Sequence, residues 1–278
     1  MVRRRFSDEP KSRLAVWAGR LALFSLVTAA LSVIIVRSAL LEIVPALSTF
    51  FAALVFAVIA ILLGFAAFVV IWRDGLAGLG SAFIGMLIGT GLLIYPAYLG
   101  YNAYRLPLVN DITTDIANPP RFDVIARLRP RGTNDYPGAE LAAKQRAAYP
   151  EISTMEVAAP PQIAYEIALA LATKRKWRVV DARPPTATRR EGTIEAVARS
   201  AIMGFRDDIV IRVRASNNAS LVDVRSASRF SFHDFGANAS RVGSLIEDID
   251  NAVNSMPERK EPEKPAPPAA KKPQPAKR

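Results

Sequence analysis

Cysteine is absent from the 278 residues, and histidine occurs once, at His233. Without thiols there is no disulfide framework, no thiolate nucleophile and no cysteine-bound metal. One imidazole cannot fill the usual zinc ligand sets, so neither a metal nor a cofactor is expected. The chain also lacks a glycine-rich loop to cradle phosphate and a G-x-S-x-G elbow to present a nucleophilic serine. Charge is missing as well, and over long distances. Residues 21–36 carry none, residues 43–72 carry none, and a third run extends from Gly75 to about Gly100.

These three runs dominate what is present. The first reaches back through Trp17 to Leu14. Each supplies roughly 20 apolar residues, enough to cross a hydrocarbon core about 30 Å thick at about 1.5 Å per residue. Buried helices of a soluble protein rarely stay uncharged for so long, and a cleaved signal peptide would be shorter and stand alone. The sequence therefore predicts a three-helix membrane region over residues 14–104, preceded by a basic segment, 1–13. Arg3, Arg4, Arg5, Lys11 and Arg13 hold that segment in the cytoplasm by the positive-inside rule. Arg73 and Asp74 fit the same side, and Arg37 with Glu42 the far side. Three crossings then deliver the rest of the chain outside, which in a bacterial inner membrane is the periplasm. Tyr95, Tyr98, Tyr101 and Tyr104 suit an aromatic belt, with Trp17 and Trp72 at the opposite interface. Ser81, Gly85 and Gly89 are four apart, a spacing that lets helices approach closely within the bundle or between subunits.

The net charge of +11 sits mostly at the two ends. Residues 1–104 carry 8 basic against 4 acidic residues, and residues 257–278 carry 7 against 3. The middle, 105–256, is nearly balanced, so a nucleic-acid surface is not expected. The tail 257–278 is proline, lysine and alanine, without the apolar residues for a core. It reads as a disordered, solvated tether able to touch anionic lipid or cell-wall polymer.

Residues 105–256 read as an α+β domain, an antiparallel sheet of about four strands packed on helices. Pro160 and Pro161 open a helix with Ile163, Ile167, Ala170 and Leu171 on one face. Strand patterns follow at 177–181, 192–200, 208–215 and 221–229, with a hairpin turn at Ser216-Asn217-Asn218-Ala219. A last helix, 237–254, aligns Val242, Leu245, Ile246, Ile249 and Val253. The segment 105–152 is irregular and proline-rich and is expected to wrap the domain without regular elements.

Strand alternation divides the side chains between two faces. Ile194, Ala196, Ala198, Ile209, Ile211, Val213, Val222 and Val224 go with Ser226 and Ser228 toward the helices. Glu195, Arg199, Asp208, Arg212, Arg214, Asp223, Arg225 and Arg229 fall on the other face. An exposed arginine-rich sheet suits bidentate recognition of phosphate or carboxylate. A ladder of cross-strand ion pairs is the plainer alternative.

Several segments in order resemble the uncharacterised DUF1499 family. They are Asn110-Asp111-Ile112-Thr113-Thr114-Asp115, Asn118-Pro119-Pro120-Arg121-Phe122, Ala148-Tyr149-Pro150-Glu151-Ile152, Gly204-Phe205 with Asp207-Asp208, Asp223 to Arg229, and Asp234-Phe235-Gly236-Ala237-Asn238-Ala239. They cover about residues 106–250. Phe230-Ser231 departs from the pattern, where a glycine is expected soon after the arginine. The resemblance implies a domain boundary and a membrane-anchored member but no activity.

None of the matched residues forms an enzyme signature. Asp111 and Asp115, beside Thr113 and Thr114, suit turn and cap hydrogen bonds better than a carboxylate pair. Asp207 and Asp208 point to opposite faces of a strand. Ser226 and Ser228 lack a base, and His233 beside Asp234 reads as a loop histidine near a helix start. The candidate binding residues are Asp111, Thr113, Thr114, Asp115, Asp208, Arg212, Arg225 and Arg229, with Arg225 and Arg229 expected to be exposed. The expected function is a membrane-anchored periplasmic binding or interaction module whose partner is an anionic lipid, a cell-wall polymer or an envelope protein. The alternative is an envelope hydrolase using Asp111, Asp115 or Asp208.

Overall fold

The computed structural model describes residues 10–38, 43–129, 136, 138–217, 219–230 and 233–256. Arg3, Arg4, Arg5, Glu42, Asn218, Ser231 and the tail 257–278, on which parts of the sequence reading rest, lie outside them. Three N-terminal helices coincide with the uncharged runs: α1 (Arg13–Ser38), α2 (Ile43–Asp74) and α3 (Leu79–Arg105). Each is long and apolar enough to cross a membrane.

The three helices meet through small residues. Ala15, Ala18, Ala22, Ser25, Ala29 and Ser32 form one buried stripe on α1, spaced alternately by three and four. Ala53, Ala57, Ala60, Gly64 and Ala67 are buried on α2, and Ala82, Gly85 and Gly89 on α3. A Cβ at Gly85 would stand 2.8 Å from the Ala18 carbonyl carbon, so the backbones of α1 and α3 touch there. The Ser25 hydroxyl donates to the Ala53 carbonyl at 2.6 Å, and the Ser81 hydroxyl to the Ala15 carbonyl at 2.9 Å. Each hydroxyl is thereby satisfied inside an apolar bundle. The bulky side chains, among them Phe51, Leu62, Phe65 and Trp72, face outward.

Beyond α3 lies a six-stranded antiparallel sheet with helices against it, an α+β arrangement. Its order is β1 (Asp111–Thr113), β6 (Ala219–Ser228), β5 (Arg206–Ser216), β4 (Glu191–Arg199), β3 (Arg178–Arg183), and β2 (Met155–Val157) also pairs with β6. The sheet has two strands more than the pattern predicts, because three residues are too few to display alternation. The 216–219 hairpin forms as read, with Ser216 opposite Ala219 and Asn217 at φ 45°. The wrapping segment is less irregular than expected: besides β1 it contains α4 (Val124–Leu128) and α5 (Ala139–Ala148).

Helices α6 (Pro161–Lys174) and α7 (Ala237–Asn254) cover one face of the sheet. The core there joins Ile194, Ile209, Ile211, Val213, Val222 and Val224 to Val242, Leu245 and Ile249, the residues that alternation and helical spacing select. On α6 the deeply buried side is Ala164, Tyr165, Ala168 and Ala172, while Ile163, Ile167 and Leu171 pack only partly. The other face of the sheet is covered by residues 114–129, a strap that continues from β1 and whose Phe122 and Ile125 pack on Val210 and Ala227. The Arg37 guanidinium at the end of α1 donates to the carbonyls of Ala201 (2.7 Å) and Ile202 (3.0 Å), which ties the helical part to the β4–β5 loop.

Candidate functional site

Alternation puts most charged residues of β4, β5 and β6 on one face, as the sequence predicts, and the structure then covers the middle of that face, leaving Arg199 and Arg206 exposed at one end. Glu195, Asp208, Arg212, Asp223 and Arg225 are all buried. The expected open arginine surface is thus a closed one. A short helix and a turn, neither of which has a strong hydrophobic period, lie over it.

The strap is held by three ion-pair centres. At the first, Arg225 Nε and Nη2 donate to both carboxylate oxygens of Asp111, the shortest bond being 2.7 Å. Arg225 Nη1 donates to the Pro120 carbonyl at 3.0 Å. The guanidinium lies over the ring of Phe122 at 4.8 Å and that of Tyr136 at 5.4 Å. Burial pushes the Asp111 carboxyl up, against the pull of Arg225. It also pushes the Tyr136 hydroxyl up to about 12, with the Asp111 charge adding to the shift.

The second centre is built on Asp223. Its Oδ2 accepts from Arg212 Nη2 at 2.8 Å and from Arg214 Nη2 at 2.7 Å, while Oδ1 accepts from the hydroxyls of Thr154 (2.6 Å) and Thr114 (3.4 Å). Arg212 also reaches Asp115 Oδ2 and the Asn118 carbonyl, both at 3.0 Å. Asp115 Oδ1 accepts the Asn118 backbone N–H at 2.9 Å, the turn role its sequence context suggests. Thr113 is pinned by Gln145, whose amide exchanges two hydrogen bonds with its backbone.

At the third centre Asp208 receives Arg229 through Nε at 2.8 Å and Nη2 at 2.7 Å, and Arg129 from the strap. Burial pushes the Arg129 guanidinium down, against the pull of Asp208. Arg225 and Arg229 were expected to be exposed; the first is buried and the second partly buried against these carboxylates.

Glu195 completes the attachment. Its carboxylate accepts the backbone N–H groups of Asp123, Val124 and Ile125 at 2.8–3.0 Å, so a sheet residue caps the first turn of α4. Glu195, Asp223, Gln145 and Arg129 carry as much of the arrangement as the candidate residues do. Alternation already placed Glu195 and Asp223 on this face; nothing in the local pattern marks Gln145 or Arg129.

The serines and the histidine are also engaged. Ser226 Oγ donates to Asn238 Oδ1 at 2.7 Å and accepts from Arg241 at 2.9 Å, and Arg241 continues to Asp207 at 2.7 Å. Asp207 is pushed up by burial, with Arg241 pulling the other way. Asp234 accepts the N–H groups of Gly236 and Asn238 at the start of α7, and His233 Nδ1 accepts that of Phe235. No serine–histidine–aspartate constellation forms among these groups. Among the described residues no cluster of three or more metal-ligating side chains occurs.

Two concavities border this framework. A recess of about 250 Å³ lies between the strap and the sheet, lined by Asn118, Pro120, Asp123, Glu191, Thr193 and Arg212. A larger groove of about 890 Å³ follows α7 from Leu106 and Gly236 to Asp250. Its lining includes Ile152, Met155, Ala239, Gly243 and Ile246, with Glu151, Glu247 and Asp250 at its edge. No curated protein matches the chain. Residues 111–249, half of the chain, match the family described as protein of unknown function (DUF1499). That span opens at β1 and closes inside α7, enclosing the strap, the sheet and all three ion-pair centres, and the chain belongs to the DUF1499 family.

Proposed function

We propose that the chain is a membrane-anchored binding module of the bacterial cell envelope, with its N-terminus in the cytoplasm and residues 105–256 forming a periplasmic domain. The observation that carries this reading is the state of Asp111, Asp115 and Asp208. Each is paired with arginine, and Asp111 and Asp208 are covered by the strap. Such carboxylates hold a fold together; they are poorly placed to meet a substrate. The α7 groove is open instead, with an apolar lining and an acidic edge. It suits an amphipathic partner that brings apolar surface and positive charge. The role suggested for Arg212, Arg225 and Arg229 in this reading is to keep the strap in place.

Two experiments test the reading. A reporter fused to the C-terminus and active only outside the cytoplasm tests the orientation; activity restricted to a cytoplasmic reporter rejects it. For the groove, the full chain in nanodiscs is titrated with a fluorescent alkylammonium probe. A Cβ at Gly243, which lines the groove, meets nothing within 4 Å, so Gly243→Trp is the variant expected to obstruct it. Binding should fall in that variant and in Glu247→Gln/Asp250→Asn, and equal binding in all three proteins removes the groove from the proposal.

The hydrolase reading retains one supporting observation, the raised Asp111 carboxyl, since a general acid must hold its proton. It requires the strap to open. Envelope hydrolysis by the purified chain that is unchanged in Asp111→Asn, Asp115→Asn and Asp208→Asn alike would dispose of it.

A further inference from the structure

The end of the sheet that carries the β4–β5 loop differs from the rest of the α+β part. Arg37 ties that loop to the tip of α1, a helix long and apolar enough to cross a membrane. The same end holds the start of β1 and the end of β6, since Asp111 pairs with Ala227 and the Ser228 N–H donates to the Asn110 carbonyl. After α3 the described large apolar side chains that stand exposed are Leu108, Leu128, Ile202, Phe230 and Met256. All but Met256 lie at this end, and Phe205 stacks on Phe230 with ring centres 5.7 Å apart.

The charges at this end are one-sided. Arg199 and Arg206 are exposed and sit directly opposite each other in the β4–β5 register. Like charges in that position repel, and neither guanidinium has an ion-pair partner among the described residues. Arg105 and Arg127 are exposed nearby. Asp111, Asp207, Asp208 and Asp234 in this region are buried, and Asp111, Asp207 and Asp208 are paired with other arginines; the exposed Glu151 lies to the side, with Leu106 and Gly236 at the α7 groove.

We propose that this end is a docking surface for anionic lipid headgroups of the bilayer that α1–α3 cross, with Arg199 and Arg206 closing on a lipid phosphate between them. A phosphate relieves the repulsion between two facing guanidiniums and offers each a charge-assisted hydrogen bond. Ile202 and Phe230 then rest at the headgroup level, where apolar side chains flanked by arginine are favoured. The inference depends on the membrane reading above and assigns the anionic contact to this surface instead of the covered arginine face.

The test uses the full chain, purified in detergent and observed by native mass spectrometry. Phosphatidylglycerol, phosphatidylcholine of the same chain length and inorganic phosphate are titrated separately. Wild type should retain phosphatidylglycerol over phosphatidylcholine. Arg199→Gln/Arg206→Gln should lose that preference by about thirtyfold, in keeping with roughly 1 kcal/mol for each of the two basic residues near a charged membrane surface. Arg189→Gln/Arg190→Gln, at the other end of β4, should keep it. Equal retention in all three proteins overturns the proposal, as does an equal loss in the control pair. Inorganic phosphate binding as tightly as the lipid overturns the lipid as its source. Both residues are exposed, and an unchanged circular dichroism spectrum separates lost binding from lost fold. Resistance of the chain to carbonate extraction from membranes tests the anchor separately, so failure of the surface and failure of the membrane reading are distinguishable.

Discussion

A guanidinium removed from water needs its charge met and its donors occupied. Arg225 obtains this from two oxygens of Asp111, the Pro120 carbonyl and two aromatic rings. Truncating Asp111 alone leaves the charge buried without its partner, so Asp111→Ala should cost about 3–5 kcal/mol in the urea unfolding of the full chain in micelles. Asp111→Leu/Arg225→Met removes both charges and should recover much of that loss. A single variant costing less than about 1 kcal/mol would mean that the pair does not secure the strap. Tyr136, on the other side of the guanidinium, has a hydroxyl pushed up to about 12. An unfolded tyrosine ionises near pH 10, so the folded state holds this proton more tightly. That contribution is complete below about pH 10 and is lost as pH rises through about 12. In Tyr136→Phe the unfolding midpoint should therefore fall less steeply across this alkaline window than in wild type.

The elements were legible in the sequence to different degrees, for physical reasons. The apolar runs are unmistakable because lipid tolerates no charge along a helix, and α7 and β4–β6 follow because each buries one regular stripe. The covering of the arginine face was not legible. Alternation says which side a residue takes but not what lies over that side, and the strap is attached by ion pairs, a proline carbonyl and a capping carboxylate more than by periodic apolar contacts. Gln145 illustrates the gap: its partner Thr113 is remote in sequence, and its side chain is fully buried on a helix of ordinary polar appearance. The small-residue stripe on α1 was present but obscured by the general abundance of alanine. It yields a prediction about helix contact. At Gly85 a Cβ meets the Ala18 backbone at 2.8 Å, whereas at Gly80 it meets nothing within 4 Å. Gly85→Leu should force α1 and α3 apart and lower the thermal midpoint by several degrees in micelles, and Gly80→Leu should leave it nearly unchanged. On α7, Gly243→Ala has room for its methyl group and should stabilise by up to about 1 kcal/mol through helix propensity.

At the scale of the whole molecule, the bundle and the α+β part meet through few polar contacts among the described residues. Arg37 reaches two carbonyls of the β4–β5 loop, and the Asn102 amide reaches the Phe235 carbonyl at 3.5 Å. Arg37→Ala should raise amide exchange in residues 200–205 while β5 and β6 keep their protection. Uniform exchange in both proteins would make that contact incidental. Only five residues, 106–110, separate the end of α3 from β1. Fully stretched, they span at most about 18 Å. A short leash of this kind leaves the α+β part no radius to search. In the membrane-anchored reading proposed above, whatever it recognises must already be at the foot of the helices or arrive there, and its encounters are those of a sentry posted on the surface from which its own anchor emerges.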